Sequence, residues 1–133
     1  MKLLIDTCVV LDVLENREPF VSDAKRIFLM AAQNKATMYI TACSVKDIYY
    51  LIHKYNHNSD ESKRVVASLL KLFNVLDVNG EDLANALAVD MNDYEDSVIT
   101  QSCLRNQIDY IVTRNIKDFV NSPVRAVLPA DIK

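Results

Sequence analysis

The sequence predicts an α/β fold: one domain, residues 1–133, on a mostly parallel sheet of four or five strands with helices on both faces. Two observations lead there. Short β-branched or apolar runs alternate with segments of helical periodicity from end to end, the pattern of parallel sheets covered by helices. The chain is also 133 residues long, half hydrophobic and a quarter charged, with no internal repeat or linker, which suits one core.

Taken in order, residues 2–6 are an apolar run closed by an acid and form the first strand. Thr7 then caps a helix carrying Val10, Leu11 and Leu14, and residues 16–19 break it. Ser22 precedes a second helix with Ala24, Ile27, Phe28 and Ala31 on one face. Residues 37–41 are β-branched and aromatic, the second strand. Ser44 caps the next helix, whose inward face is Val45, Ile48, Ile52 and Tyr55. Residues 57–59 are a polar loop. The fourth helix turns Val65, Val66, Leu69, Leu70 and Phe73 inward, and residues 74–78 form the third strand. Asn79-Gly80, with the only glycine, signals a turn. A helix over 81–89 carries Leu83, Leu87 and Ala88; an acidic stretch, 90–96, leads to a further helix ending near Gln107. Residues 110–113 give the fourth strand. A fifth, 124–128, lies between Pro123 and Pro129, which suits an edge.

In such open sheets, ligands bind beyond the carboxyl ends of the strands. Asp6 ends the first strand, and Asp47 lies in the first turn of the helix after the second. Asp93 and Asp96, three apart, share a face near the start of the helix before the fourth strand, which Asn115 and Asp118 follow. Carboxylates brought together repel, and some must take up protons unless a cation intervenes. A hard divalent ion, Mg²⁺ or Mn²⁺, prefers such oxygen ligands. It acidifies a water for attack on a phosphodiester and offsets charge in the transition state. Acids at helix N-termini also serve as plain dipole partners. Asp12, Glu15, Glu18, Asp60, Glu61, Glu81 and Asp82 are assigned to solvated faces or caps.

Other constellations say less. His53 and His57 share a helical face but lack further ligands for zinc. Tyr49, Tyr50 and Tyr55 lie among cations, where aromatics stack bases, yet packing is the favoured reading. Arg105, Arg114 and Lys117 are candidates for phosphate contacts. A single glycine excludes the P-loop and the dinucleotide-binding glycine pattern, and no serine has a nucleophile-elbow context. The net charge of −3 counts against general nucleic-acid binding, but a carboxylate site that a metal offsets supplies part of that charge itself.

Asp6 and Asp12 interrupt the apolar N-terminus, and no stretch is long enough to span a bilayer, so no signal peptide and no membrane contact is expected. Cys8, Cys43 and Cys103, odd in number and widely spaced, suit free thiols in a reducing cytoplasm.

The segments LLIDTCVVLDVL, DIYYLI, DYEDSVITQSCLRNQIDYIVTRNIKDF and VLPADI, in that order over nearly the whole chain, resemble the PIN-domain family. The likeness is greatest to its bacterial branch of VapC-type toxins. The resemblance implies an endoribonuclease using Mg²⁺ or Mn²⁺ and leaving a 5′-phosphate and a 3′-hydroxyl. By position, Asp6, Asp47 and Asp96 look like its first three acids. Asn115 stands where many members carry the fourth, with Asp118 as the substitute carboxylate. The mechanism it implies has Asp6 and Asp96 bind the ion directly. Asp47 and either Asp93 or Asp118 hold its waters. Thr113 hydrogen-bonds near the site, with Asn115 and Arg114 beside it. The family likeness also implies an RNA substrate, a homodimer and a small antitoxin protein as partner. Asp47, where glutamate is commoner, and the neutral Asn115 depart from the pattern. On them rests an alternative, a PIN fold that binds RNA or protein without cutting. A second rival, a flavodoxin-like phosphoacceptor domain, needs a lone acceptor aspartate and a lysine after a late strand. Here the acids spread over four elements and Lys117 follows its strand by several residues.

Overall fold

The computed structural model describes residues 1–133. Its strands are β1 (Lys2–Ile5), β2 (Thr37–Thr41), β3 (Asn74–Leu76), β4 (Tyr110–Val112) and β5 (Ala126–Val127). They form one sheet in the order β3-β2-β1-β4-β5, and every pairing is parallel. The chain therefore builds outward from β1 to β3, then crosses to the other side for β4 and β5. That leaves the switch point, where a crevice opens at the strands' carboxyl ends, between β1 and β4.

Between the strands run α1 (Thr7–Leu14), α2 (Val21–Ala32), α3 (Ala42–Asn56), α4 (Ser59–Leu72), α5 (Gly80–Ala86) and α6 (Tyr94–Arg105), with short 3-10 turns at Ile116–Phe119 and Pro129–Asp131. Successive strand residues point to opposite faces, and the core divides accordingly. Leu3, Ile5, Met38 and Ile40 pack with Val9, Val10, Ile27, Ile48 and Leu69 under α1–α4. Leu4 and Ile111 pack with Ile99, Cys103 and Phe119 on the α6 side. Burying a side chain such as Ile48 or Ile111 completely stabilises the fold by about 1.5–3 kcal/mol. No helix is long and apolar enough to cross a membrane.

Several boundaries differ from the sequence expectation, each for a local reason. β1 stops at Ile5 because the next residue, Asp6, is itself the cap of α1: its carboxylate accepts from the Thr7 N–H at 2.8 Å. Ser44 is not a cap; Thr41 is, accepting from the Ser44 N–H at 3.2 Å, so α3 starts at Ala42. α2 begins at Val21, ahead of Ser22, with no side-chain cap. β3 and β4 are shorter than expected, since their last residues turn into the loops at the sheet's carboxyl edge, and β5 is trimmed at both ends to Ala126–Val127. The Asn79 capping box with Asp82 starts α5 at Gly80, and the helix ends at Ala86. Tyr55 and Leu70, expected inward, are exposed. The sheet covers only a narrow stripe of each helix, and these residues lie beside it.

Candidate active site

Asp6 is the best-fixed acid of the crevice. One carboxylate oxygen caps α1, and the other accepts from the Thr113 hydroxyl at 2.7 Å. Thr113 leaves β4 fully buried, and its hydroxyl oxygen accepts in turn from the Asn115 N–H at 3.1 Å. Since Asp6 N–H donates to Val112 C=O across the switch point, the carboxyl ends of β1 and β4 are locked to each other before any ligand arrives.

Around Asp6 opens a cleft of about 580 Å³. Its carboxylates are Asp6 after β1, Asp47 from α3, and Asp93, Glu95 and Asp96 at the start of α6. Asp93 is the cap of α6 and accepts from the Asp96 N–H at 3.1 Å, which ties the two acids together. No lysine, arginine or histidine lines the cleft. The charges therefore act on one another. Burial pushes the Asp96 carboxyl up from 3.8 to about 7, helped by the negative charges of Asp93, Asp6, Asp118 and Glu95. Burial also raises Glu95, with Asp47, its hydrogen-bond partner, adding to the effect. Cys8 sits beside them, its thiol 3.6 Å from Asp6 Oδ2; burial foremost, then Asp6, pushes its pKa up and keeps it a neutral thiol.

The structure thus brings Asp6, Asp47, Asp93, Asp96 and Asn115 to one cleft, with Thr113 beneath. Asp118 does not line it; the residue is exposed on the 3-10 turn after β4 and acts on Asp96 through its charge alone. Arg114 does not line the cleft either. Its guanidinium donates to both Asp12 oxygens, at 2.8 and 3.2 Å, and lies 4.0 Å over the Phe20 ring. Asp12, expected on a solvated face, is wholly buried because that arginine neutralises it. Arg105 is likewise held by Asp82, at 2.7 and 3.1 Å, and by Asp77. Its charge lowers the Asp82 pKa, chiefly through that hydrogen bond, and Asp82 is buried as well as capping. Lys117 lines a separate hollow with Phe119 and Val120.

Glu95, Tyr50 and Leu51 line the cleft without having been picked out as cleft residues in the sequence. Glu95 neighbours Asp96, and adjacent helical positions do not share a face. At the first turn of a helix, however, side chains splay around the open end, and Glu95 reaches Asp47.

The donor set fits a hard divalent cation by its chemistry: five carboxylates, surplus negative charge, and a carboxyl driven toward protonation by burial and by its neighbours' charges. The acids are gathered but not clenched, for no three already stand in a ligating arrangement. Asp93 and Glu95 are exposed at the cleft's rim.

A pH dependence follows. Asp96 and Glu95 have folded pKa values above their ordinary ones, so the folded chain holds extra protons between about pH 4 and 7. Stability without a cation therefore falls as pH rises through that window. Mn²⁺ restores it above pH 7, by several degrees in melting temperature, and raises it little at pH 5. Thermal melts at both pH values check this.

A cleft of five carboxylates with no basic side chain, at the switch point of a parallel sheet, makes this one of the α/β proteins built around an acid cluster. More narrowly, the chain belongs to the PIN-domain family, whose model matches residues 2–117. The fold resembles that of a chain in the Rickettsia felis VapBC2 complex bound to a promoter DNA fragment, with TM-score 0.73, 14% identity, and coverage of 96% of this chain and 98% of that one. It also resembles FitAcB from Neisseria gonorrhoeae, with TM-score 0.74, 17% identity, and 98% and 99% coverage. A third structure is VapC20 of Mycobacterium tuberculosis, described as a sarcin-ricin loop cleaving toxin, with TM-score 0.63, 11% identity, and 82% and 86% coverage. No curated protein sequence matches the chain.

Proposed function

We propose that this protein is a divalent-cation-dependent endoribonuclease of the VapC type, the toxin of a toxin–antitoxin pair. The observation that carries the reading is the cleft itself: five carboxylates, no basic side chain, and an Asp96 carboxyl held up near neutrality. The named activity of VapC20 and the complexed state of VapBC2 support it.

Asp6 and Asp96 would hold Mg²⁺ or Mn²⁺, with Asp47, Glu95 and Asp93 around them. Such an ion lowers the pKa of a water and offsets charge building up on phosphorus. The chain's own residues do the rest. Thr7 and Thr113 keep the Asp6 carboxylate in one orientation, so its oxygens need no reorganisation on binding. Asp96, whose carboxyl is raised first by burial and then by its neighbours' charges, would hold the ion as a carboxylate once its proton is lost. Glu95 meets Asp47 from the facing helix and makes good the shorter arm of aspartate at that position, while Asp93 supplies the charge that Asn115 lacks. These two carboxylates favour the active reading over a PIN fold that only binds.

The pairing with an antitoxin gains support from an apolar hollow of about 380 Å³ between α1, α3 and α4, lined by Leu14, Ile52, Tyr55 and Val65. A homodimer in the cytoplasm completes the proposal, on the family resemblance. Incubation with single-stranded RNA tests the activity. Cleavage that requires Mn²⁺ or Mg²⁺, stops with chelator and leaves 5′-phosphate ends is the expected outcome; intact RNA with both ions present refutes it.

A further inference from the structure

An RNA strand entering the acid cleft meets no lysine, arginine or histidine on its walls. Arg114 and Arg105 are committed to Asp12 and Asp82. A bound cation would account for one phosphate, and the cleft walls add no positive charge to hold the nucleotides beside it. Stacking is the sequence-tolerant alternative, because every base has a π-face.

One aromatic ring lines the cleft. Tyr50 lies three residues after Asp47 on α3, with Leu51 next to it, so the three share a helical face. The Tyr50 side chain is 64% exposed, so it contributes little to the core. Its ring is nevertheless braced. Tyr49 meets it edge-to-face at 5.4 Å and 83°, and Tyr49 is in turn stacked on His53 at 5.7 Å and 7°. His53 Nδ1 lies 3.4 Å from the Ser62 hydroxyl on α4. An edge-to-face contact occupies at most one face of Tyr50, leaving the other for a ligand. Orientation fixed in advance lowers the entropy lost on stacking.

We propose that Tyr50 is the platform of a nucleobase subsite at the lip of the acid cleft, stacking one unpaired base of the RNA beside the phosphate that is cut. The proposal rests on the nuclease reading above and narrows its substrate. A base already stacked in a duplex cannot reach the ring, so single-stranded or looped RNA is preferred over double-stranded RNA. Leu51, exposed at 39% on the same face, widens the apolar floor.

The test combines Tyr50 variants with single-stranded RNA oligonucleotides carrying one abasic nucleotide, moved stepwise past the cut site. Tyr50→Ala is expected to raise KM about 5- to 150-fold, the range for losing one stacked base, with kcat within threefold of wild type. Tyr50→Phe and Tyr50→Trp retain the wild-type KM. In wild type, a single abasic position reproduces the rise; in Tyr50→Ala the same position has no further effect. A 2-aminopurine placed there loses emission on stopped-flow mixing with wild type and not with Tyr50→Ala. An unchanged KM in Tyr50→Ala, additive effects of variant and abasic site, or no quenching overturns the subsite. So does a change in sedimentation of Tyr50→Ala, which would mean that a second copy covers the ring. Quenching without cleavage by wild type sinks the nuclease reading and leaves the subsite standing; cleavage without quenching does the reverse.

Discussion

Asp96→Asn cuts the rate of RNA cleavage about a thousand-fold or more, and yet the unliganded protein melts at a higher temperature above pH 7. The two effects share one cause. Burial and the charges of Asp93 and Asp6 disfavour the ionised Asp96 carboxylate, and the neutral amide removes that conflict. The local fold is unaffected, since the Asp96 N–H still donates to Asp93 Oδ1. On the proposed reading, what is lost is a charged ligand of a cation that would supply several kcal/mol of transition-state stabilisation, and each ~1.4 kcal/mol is a factor of ten in rate. A residue with a purely structural role would lose activity and melting temperature together. Single-turnover cleavage and thermal melts at pH 8, each with and without Mn²⁺, read both effects.

Arg114→Ala destabilises the fold by about 3–5 kcal/mol, the range for breaking one partner from a buried ion pair. The Asp12 side chain is wholly buried, and Arg114 supplies two hydrogen bonds to it. Without Arg114, the nearest cation is Arg17, whose Nη1 is 4.0 Å from Asp12 and whose closer partner is Glu15 at 2.6 Å. Arg114→Lys recovers only part of the loss, because an ammonium offers neither the two-pronged bond nor the planar stacking on Phe20. Asp12→Leu combined with Arg114→Met costs less than Arg114→Ala alone, since no charge is left buried without a partner. Urea denaturation of the three variants measures this. Arg114 stands between Thr113 and Asn115, so its anchor also holds the loop that orients Asp6.

The fold was legible because its signals are local and repeated. Alternation of strand and helix periods gave a parallel sheet, and the positions of Asp6 and Thr113 at strand ends placed them at the switch point. The acids were legible for the same reason: each follows a strand or opens a helix that follows one. Pairings over long sequence distance were not. Nothing in residues 7–14 says that Asp12 will be sealed by an arginine 102 positions later, nor does Arg105 announce that Asp82 will claim it. Both arginines look like phosphate ligands until their partners are seen. Glu95 was hidden by the rule that neighbours on a helix face different ways, which fails at a first turn that opens onto a cleft. Inward faces were overestimated for Tyr55 and Leu70, because periodicity marks an apolar stripe without setting how much of it the sheet covers.

A crystal structure after soaking in MnCl₂, with anomalous scattering collected for manganese, probes most directly whether these carboxylates exist to hold a cation. An anomalous peak touching oxygens of both Asp6 and Asp96, with Asp93 or Glu95 turned toward it, is the predicted result. A cleft without such a peak at millimolar Mn²⁺, or a peak that neither Asp6 nor Asp96 touches, would contradict it.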